Sequence, residues 1–256
     1  MSTPEFTYLK TEVEGQVAVV TINRPEVLNA CNSATHREMQ AAMDWTESDE
    51  AIKVVVITGA GRAFCSGSDL REVGQFQGAA ARSYLKLDFS TKNRIAACAK
   101  PVIAALHGHV AGGGFEMALA CDIRIVAEDV LFSLPEIVLG TIPGSGGLQR
   151  LPPIVGLGVA KEWALTGRRV GAEEAYRRGL ANAVHPRESL MAEVMTFAQG
   201  LAERSSMALF LSKVALDPEP PQPSGMVGVF HMLASEACHS DPTYKERAGS
   251  YKNKAK

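Results

Sequence analysis

Two glutamates in this sequence are well placed for acid–base chemistry. Glu116 follows the glycine run 112–114 and stands at the start of an alanine-rich stretch, and Glu136 lies between a proline and an apolar run. A carboxyl group in apolar surroundings keeps its proton to higher pH, and a second carboxylate nearby strengthens this effect. Either glutamate could therefore serve in acid–base catalysis, but acidic residues are also common in the first turn of a helix for structural reasons alone. Nothing in their spacing brings the two together.

The glycine run 112–114 favours a binding site for negative charge. Glycines let a ligand approach the backbone closely, because they have no Cβ atom. The helix predicted behind them would present amide groups without partners inside the helix, together with the positive end of its dipole. Such a site stabilises a phosphate, or a thioester oxygen that becomes an enolate. A second turn, at Ser68 and Asp69, is by itself an ordinary connection in which Asp69 would cap a helix.

Other patterns begin a known motif without completing it. The Gly-Ala-Gly run at 59–61 lacks the third glycine of a dinucleotide-binding fingerprint, because Phe64 occupies that position. Neither an NTPase phosphate loop nor a G-x-S-x-G motif is present. His107 and His109 lack companions at metal-binding spacing, so no metal site is predicted. The five cysteines are scattered and never form C-x-x-C, which predicts reduced, buried thiols.

Length and charge narrow the class of protein. The 256 residues fit one large domain, or one core with a small appendage, and 46% hydrophobic residues are enough for a substantial interior. Twenty-six basic side chains stand against 28 acidic ones, so the charge gives no reason to expect a nucleic-acid or membrane partner. The N-terminus has no secretory pattern, and no apolar run approaches the ~20 residues of a membrane helix. We expect a cytoplasmic protein.

Short runs rich in valine and isoleucine alternate with helix-forming stretches in the first two-thirds of the chain. The runs predict buried strands at 17–22, 54–58, 102–106 and 123–126. The stretches between them predict helices at 33–47 and about 78–98. This alternation indicates an α/β fold with a parallel sheet.

The sequence becomes helical towards its C-terminal end. Helices are predicted at 157–166, 172–178, 187–203 and 207–216 and, after a proline cluster at 218–223, at about 226–238. We therefore divide the chain into an α/β core, residues 1–190, and a helical region, residues 191–256. The helical region would pack either on its own core or on that of a neighbouring copy, and the sequence does not decide between the two.

Several segments together resemble the enoyl-CoA hydratase/isomerase family, also called the crotonase superfamily. The resemblance runs from about residue 13 to residue 186 and is carried by the segments 59–70, 107–122 and 132–151, with further markers at 23–30 and 172–180. It implies a crotonase-like spiral of repeated ββα and βαβ units, followed by a C-terminal helical region. In the family this region mediates contacts in a trimer, commonly in a dimer of trimers, so a homotrimer or hexamer is expected.

The resemblance also implies roles for particular residues. The backbone amides of Ser68 and Gly113 would form an oxyanion hole for the thioester oxygen. Glu116 would take a proton from a water molecule, and protonated Glu136 would deliver one to the α-carbon. The residues expected to bind the CoA substrate are Glu26, Val27, Leu28, Ser68, Asp69, Leu70 and Arg71. Coenzyme A is part of the substrate, and neither a separate cofactor nor a metal is expected.

The glutamate pair favours one activity among three. We predict an enoyl-CoA hydratase that adds water in the syn sense to a trans-2-enoyl-CoA, giving a 3-hydroxyacyl-CoA in fatty-acid or related catabolism. An enoyl-CoA isomerase or a specialised hydroxyacyl-CoA dehydratase on the same fold is the alternative. A non-catalytic protein that binds acyl-CoA or RNA is a distant third, because both glutamates are retained and no basic stripe is present. The predicted helix at 78–98 would line the acyl pocket, whose length limit the sequence leaves open.

Overall fold

The computed structural model describes residues 3–216 together with residues 233, 234, 236–239, 244 and 246. Ten strands occur in this part of the chain: β1 (Leu9–Glu14), β2 (Val17–Ile22), β3 (Val54–Gly59), β4 (Ala63–Cys65), β5 (Val102–Leu106), β6 (His109–Ala111), β7 (Ile123–Ala127), β8 (Leu131–Ser133), β9 (Val170–Gly171) and β10 (Ala183–His185). The helices of the same part are α1 (Ser33–Ser48), α2 (Leu70–Val73), α3 (Ala79–Ala96), α4 (Gly113–Ala120), α5 (Glu136–Leu139), α6 (Gly147–Val155), α7 (Leu157–Thr166), α8 (Ala172–Arg177), α9 (Leu190–Ala202) and α10 (Ser206–Leu216).

The larger sheet has six strands in the order β1-β2-β3-β5-β7-β10. All neighbouring strands run parallel except β1, which pairs antiparallel with β2 at the edge. Every residue of β3 and β5 is buried, as expected for parallel strands covered on both faces. The Val- and Ile-rich runs therefore correctly identified the centre of this sheet.

Each face of the larger sheet has its own apolar core. One core packs against α1 and extends to α4, α6 and α7. The other lies under α9, whose residues Leu190, Val194, Ala198 and Ala202 recur every four positions and face the sheet. The predicted boundary at residue 190 thus falls at the start of a helix that covers the sheet, and the division into two domains stays a prediction.

The smaller sheet, in the order β4-β6-β8-β9, positions three segments of interest. Strands β4, β6 and β8 are parallel and only three residues long. Each is followed directly by a segment singled out in the sequence: 66–70 after β4, 112–116 after β6 and 134–136 after β8. Because the carboxyl ends of parallel strands meet at one edge of a sheet, these segments converge there.

Most predicted helices agree with the structure to within two residues. The helix predicted at 187–203 begins instead at Leu190, because residues 187–189 form a turn after Pro186. Most of the helix predicted at about 226–238 lies outside the described residues. None of the helices in the described part of the chain has both the length and the apolar character that crossing a bilayer requires.

Candidate active site

The structure brings all the predicted site residues to the wall of one cavity of about 900 Å³. The glutamate pair and the two expected amide donors lie around its inner part. The predicted CoA-binding residues also line it: Glu26, Val27, Leu28, Ser68, Asp69, Leu70 and Arg71. Residues far apart in the sequence therefore meet because the short strands β4, β6 and β8 end side by side.

The amide of Ser68 points away from the neighbouring chain segment. Ser68 forms a parallel bridge with Cys31, in which Gly67 O accepts from Cys31 N and Asp69 N donates to Cys31 O, both at 2.8 Å. In this pairing the N–H of the central residue faces the opposite side. Gly113 is the first residue of α4, so its amide has no acceptor within the helix.

Two glycines allow these donors to approach each other. Gly67 has φ +104°, and a Cβ atom there would lie 3.3 Å from Gly113 N. Gly114 packs against β4 so closely that a Cβ atom would lie 2.4 Å from Cys65 O. A side chain at either position would push α4 away from β4 and separate the amides of Ser68 and Gly113.

Glu116 is held rigidly in the first turn of α4. Its carboxylate Oε1 accepts from the backbone amides of Ser145 at 2.8 Å and Gly147 at 2.9 Å. Burial raises the pKa of Glu116, whereas the positive charge of Lys92, the two amides and the charge of Arg150 act in the opposite direction. The pKa of Glu116 stays above its ordinary value, and the amides and cations around it stabilise the charged form against the effect of burial.

Glu136 enters the same cavity from α5, the four-residue helix that follows β8. Its Oε1 lies 3.2 Å from the position that a Cβ atom on Gly112 would occupy. Its Oε2 has no hydrogen-bonding partner among the described residues. Burial, followed by the charge of Glu116, raises the pKa of Glu136 to about 8. Near neutral pH this carboxyl group is protonated and can give a proton to a bound molecule.

The loop before α1 forms one side of the cavity and is fixed by Asn29. The Asn29 side chain donates to Ala60 O at 2.8 Å and Ala63 O at 2.7 Å, and accepts from Arg24 N at 2.9 Å. Arg24 also pairs with Asp69 at 2.9 Å. Asp69 in addition caps α2 by accepting from Arg71 N at 3.1 Å, so its carboxylate is already engaged by the protein.

Several cavity residues were not identified from the sequence. Tyr84, Leu85 and Asp88 of α3 line it, in agreement with the expectation that this helix borders the pocket. Three arginines and one histidine of the α/β core also lie along its wall: Arg62, Arg71, His109 and Arg169. Only Arg71 among them was predicted, because a lone arginine next to a short strand has no pattern that distinguishes it from a solvated surface residue.

Residues near the C-terminal end also reach the cavity. His239 and Tyr244 line it, with their ring centroids 4.3 Å apart. The polar composition of the terminal stretch does not predict this contact. The only sequence signal was the presence of two aromatic rings in a region otherwise rich in charge.

The cysteines are all free thiols, and four of the five are buried. Cys31 and Cys65 lie behind the Ser68 turn with their Sγ atoms 3.7 Å apart. No group of three or more potential metal ligands occurs among the described residues.

Comparisons with known proteins identify the family to which the chain is similar. Residues 12–226 match the family model described as enoyl-CoA hydratase/isomerase. The chain is 41% identical over 207 residues to the short-chain-enoyl-CoA hydratase of Clostridium acetobutylicum, covering 80% of this chain and 79% of that protein. It is 40% identical over 205 residues to the crotonyl-CoA hydratase of Syntrophomonas wolfei, with the same coverage. A crystal structure of an enoyl-CoA hydratase from Bacillus anthracis superposes with a TM-score of 0.81 at 32% identity, covering 96% of this chain and 97% of that one.

Proposed function

Because the chain belongs to the enoyl-CoA hydratase/isomerase family, we propose that it adds water across the double bond of a trans-2-enoyl-CoA with Glu116 and Glu136 as its acid–base pair. The observation that carries the proposal is that the carboxyl groups of Glu116 and Glu136 line one cavity together with Ser68 and Gly113. One carboxyl group is held by hydrogen bonds and the other retains a proton. This combination suits a reaction that removes one proton and delivers another.

In the proposed reaction each group has one task. Water attacks the β-carbon and Glu116 takes its proton, so a C–O bond forms while the π electrons move towards the thioester. The amides of Ser68 and Gly113 stabilise the negative charge that develops on the thioester oxygen. Glu136 then gives its proton to the α-carbon, and the enolate collapses to the 3-hydroxyacyl thioester. Addition occurs on one face of the double bond, because both carboxyl groups act from the same side of the substrate.

The nucleotide end of the substrate would lie along the basic side of the cavity. Arg62, Arg71 and Arg169 are exposed there and can meet phosphate groups without the cost of being buried. The loop around Leu28 would contact the CoA portion through its backbone. Short acyl chains are the proposed substrates, since the two relatives are named for short-chain and crotonyl thioesters.

We also propose that the protein assembles as a trimer or as a dimer of trimers through its helical region. None of the residues of α10 is buried. The large apolar side chains it exposes are Met207, Phe210, Leu211, Val214 and Leu216. An exposed apolar helix face of this kind is typical of a surface covered by another subunit. Light scattering during gel filtration would test this, and a monomer at micromolar concentration would contradict it. A cytoplasmic location stays a prediction.

The activity is tested by mixing the purified protein with crotonyl-CoA and with longer trans-2-enoyl-CoA thioesters. Hydration removes the conjugated thioester, so ultraviolet absorbance falls, and we expect the fastest fall with crotonyl-CoA. A 3-enoyl-CoA in a parallel reaction detects isomerisation, which would make the absorbance rise instead. No change with any trans-2-enoyl-CoA would overturn the proposed hydratase activity.

A further inference from the structure

A cluster of buried polar side chains lies directly behind the inner wall of the cavity. Its centre is Asp88, whose Oδ1 contacts Lys92 Nζ and lies 3.1 Å from His36 Nε2. Ser145 Oγ donates to the other oxygen of Asp88. The side chains of Asp88, Lys92 and His36 are no more than 4% exposed. Burying an ammonium group is costly unless it is paired, so this arrangement calls for a reason.

The cluster touches both parts of the proposed site. Ser145, which donates its hydroxyl to Asp88, donates its backbone amide to Glu116 at 2.8 Å. Lys92 Nζ lies 3.5 Å from the position that a Cβ atom on Gly113 would occupy, and that same position is 3.7 Å from Ser68 N. The ammonium group and the amide of Ser68 therefore both lie within 4 Å of one point beside Gly113.

We propose that Lys92 is a positioning residue for the hydration reaction: anchored by Asp88, its ammonium group keeps Glu116 in the carboxylate form and strengthens the positive field at the amides of Ser68 and Gly113. This inference rests on the proposed function and adds a role for two residues, Lys92 and Asp88, that do not act on the substrate by proton transfer. Asp88 fixes the ammonium group and lies at the cavity wall.

The balance of buried charges supports this role. The titratable groups near Lys92 or its partner Asp88 come from several elements: Asp88 on its own helix, Glu116 on α4, Arg150 on α6, His36 on α1, Cys65 on β4, and Cys31. Burial lowers the pKa of His36 well below its usual value, so this ring is neutral at neutral pH. Two cations, Lys92 and Arg150, then face the carboxylates of Asp88 and Glu116. Burial lowers the pKa of Lys92 and the charge of Glu116 raises it, while the charge of Lys92 lowers the pKa of Glu116, so each group stabilises the charged form of the other.

A purely structural role for the salt bridge between Lys92 and Asp88 predicts a different experimental result. If the only role of Lys92 were to stabilise the fold through its salt bridge with Asp88, its replacement would lower the free energy of unfolding and leave the pH dependence of the reaction unchanged. If the ammonium group holds Glu116 ionised, its removal makes Glu116 easier to protonate. The acid side of the pH profile of kcat/KM would then move to higher pH.

The experiment compares Lys92→Met with Lys86→Met, an exposed lysine of the same helix. The pH profile of kcat/KM is measured with the best trans-2-enoyl-CoA substrate of the unaltered protein. For Lys92→Met we expect the acid limb of the profile to move to higher pH by about one unit or more. Loss of one nearby charge commonly shifts the pKa of a buried carboxyl group by that amount. The loss, at least about tenfold on the acid limb, should shrink as the pH is raised. Lys86→Met should match the unaltered protein.

A second variant covers the case in which Lys92→Met fails to fold. The double substitution Asp88→Asn with Lys92→Met removes both buried charges and leaves none of this pair unpaired. Because the charge of Lys92 lowers the pKa of Glu116, its removal should again move the acid limb to higher pH. An acid limb unchanged in the folded variant overturns the inference while leaving hydration intact. Absence of hydration by the unaltered protein overturns the proposed function instead.

Discussion

The two carboxyl groups of the cavity sit in regions built in opposite ways. Glu116 belongs to α4, a helix that is buried from Gly114 to Ala120 and packs against the smaller sheet. Glu136 belongs to α5, a single turn of helix without a buried residue. Glu116 accepts two backbone hydrogen bonds, whereas Oε2 of Glu136 has no partner among the described residues.

In the proposed reaction this difference separates a fixed base from an adaptable acid. A carboxylate held by two amides and nearby cations has a defined position and a stabilised charge. A carboxyl group with few partners keeps its proton and can turn towards the substrate. Chemically identical side chains thus acquire different protonation states from their surroundings, and this is what addition of water requires.

The largest effect is expected from Glu116→Gln. The amide keeps the size of the side chain and cannot accept a proton, so kcat/KM for hydration should fall about 1,000-fold. Stopped-flow absorbance with crotonyl-CoA measures the loss. Glu128→Gln, at an exposed glutamate, serves as the control and should behave as the unaltered protein does. A decrease in kcat/KM of less than about tenfold for Glu116→Gln would contradict the assignment of Glu116 as the base.

Glu136→Gln should have the next largest effect, a loss of about 100-fold, because proton delivery to the α-carbon is removed. The unaltered protein should also lose activity as the pH rises above about 8, where Glu136 gives up its proton. In the variant this alkaline decline should be absent. Activity of the unaltered protein that stays level well above that pH would contradict the assignment of Glu136 as the acid.

Gly147→Ala tests how rigidly Glu116 must be held. A Cβ atom at this position would lie 2.9 Å from Glu116 Cγ and 3.0 Å from its Oε1, so the carboxylate would have to move. We expect roughly a tenfold loss of kcat, since small displacements of a catalytic group are costly. Gly158→Ala is the control, because an added Cβ meets nothing within 4 Å. Equal activities for both variants would show that the position of Glu116 tolerates displacement.

The smallest effect concerns stability. The pKa of Glu136 is raised in the folded protein, from 4.5 to about 8, so the folded state prefers the protonated form. Its favourable contribution is complete below about pH 4.5 and is lost as the pH rises towards 8. Relative to the unaltered protein, Glu136→Gln should therefore gain stability over this range. Urea unfolding of both proteins at pH 5 and pH 8 measures it, and an equal difference at the two pH values would contradict it.

The sequence predicts the central architecture and the identity of the site, but not what brings the site together. Buried strands such as β3 are visible because their Val and Ile residues are continuous. Strands β4, β6 and β8 are three residues long, too short for any periodicity. The likeness to a known family supplied the pairing of Glu116 with Glu136, which spacing alone could not.

The cluster around Asp88 shows a second limit of sequence reasoning. Asp88 and Lys92 are four residues apart on α3, a spacing that on most helices joins two solvated side chains. Their burial depends on Ser145 and His36, which come from distant segments. A local pattern therefore cannot distinguish this pair from an ordinary surface ion pair.

The short parallel strands of the smaller sheet have a consequence for how this protein can change. Neighbouring strands are separated by about 4.8 Å, a distance fixed by backbone hydrogen bonds and independent of how long the intervening chain is. Long stretches separate β4 from β6 and β6 from β8, and insertions or deletions within them leave the ends of the strands where they were. Segment lengths are therefore free to drift in the course of evolution while the arrangement of reactive groups persists.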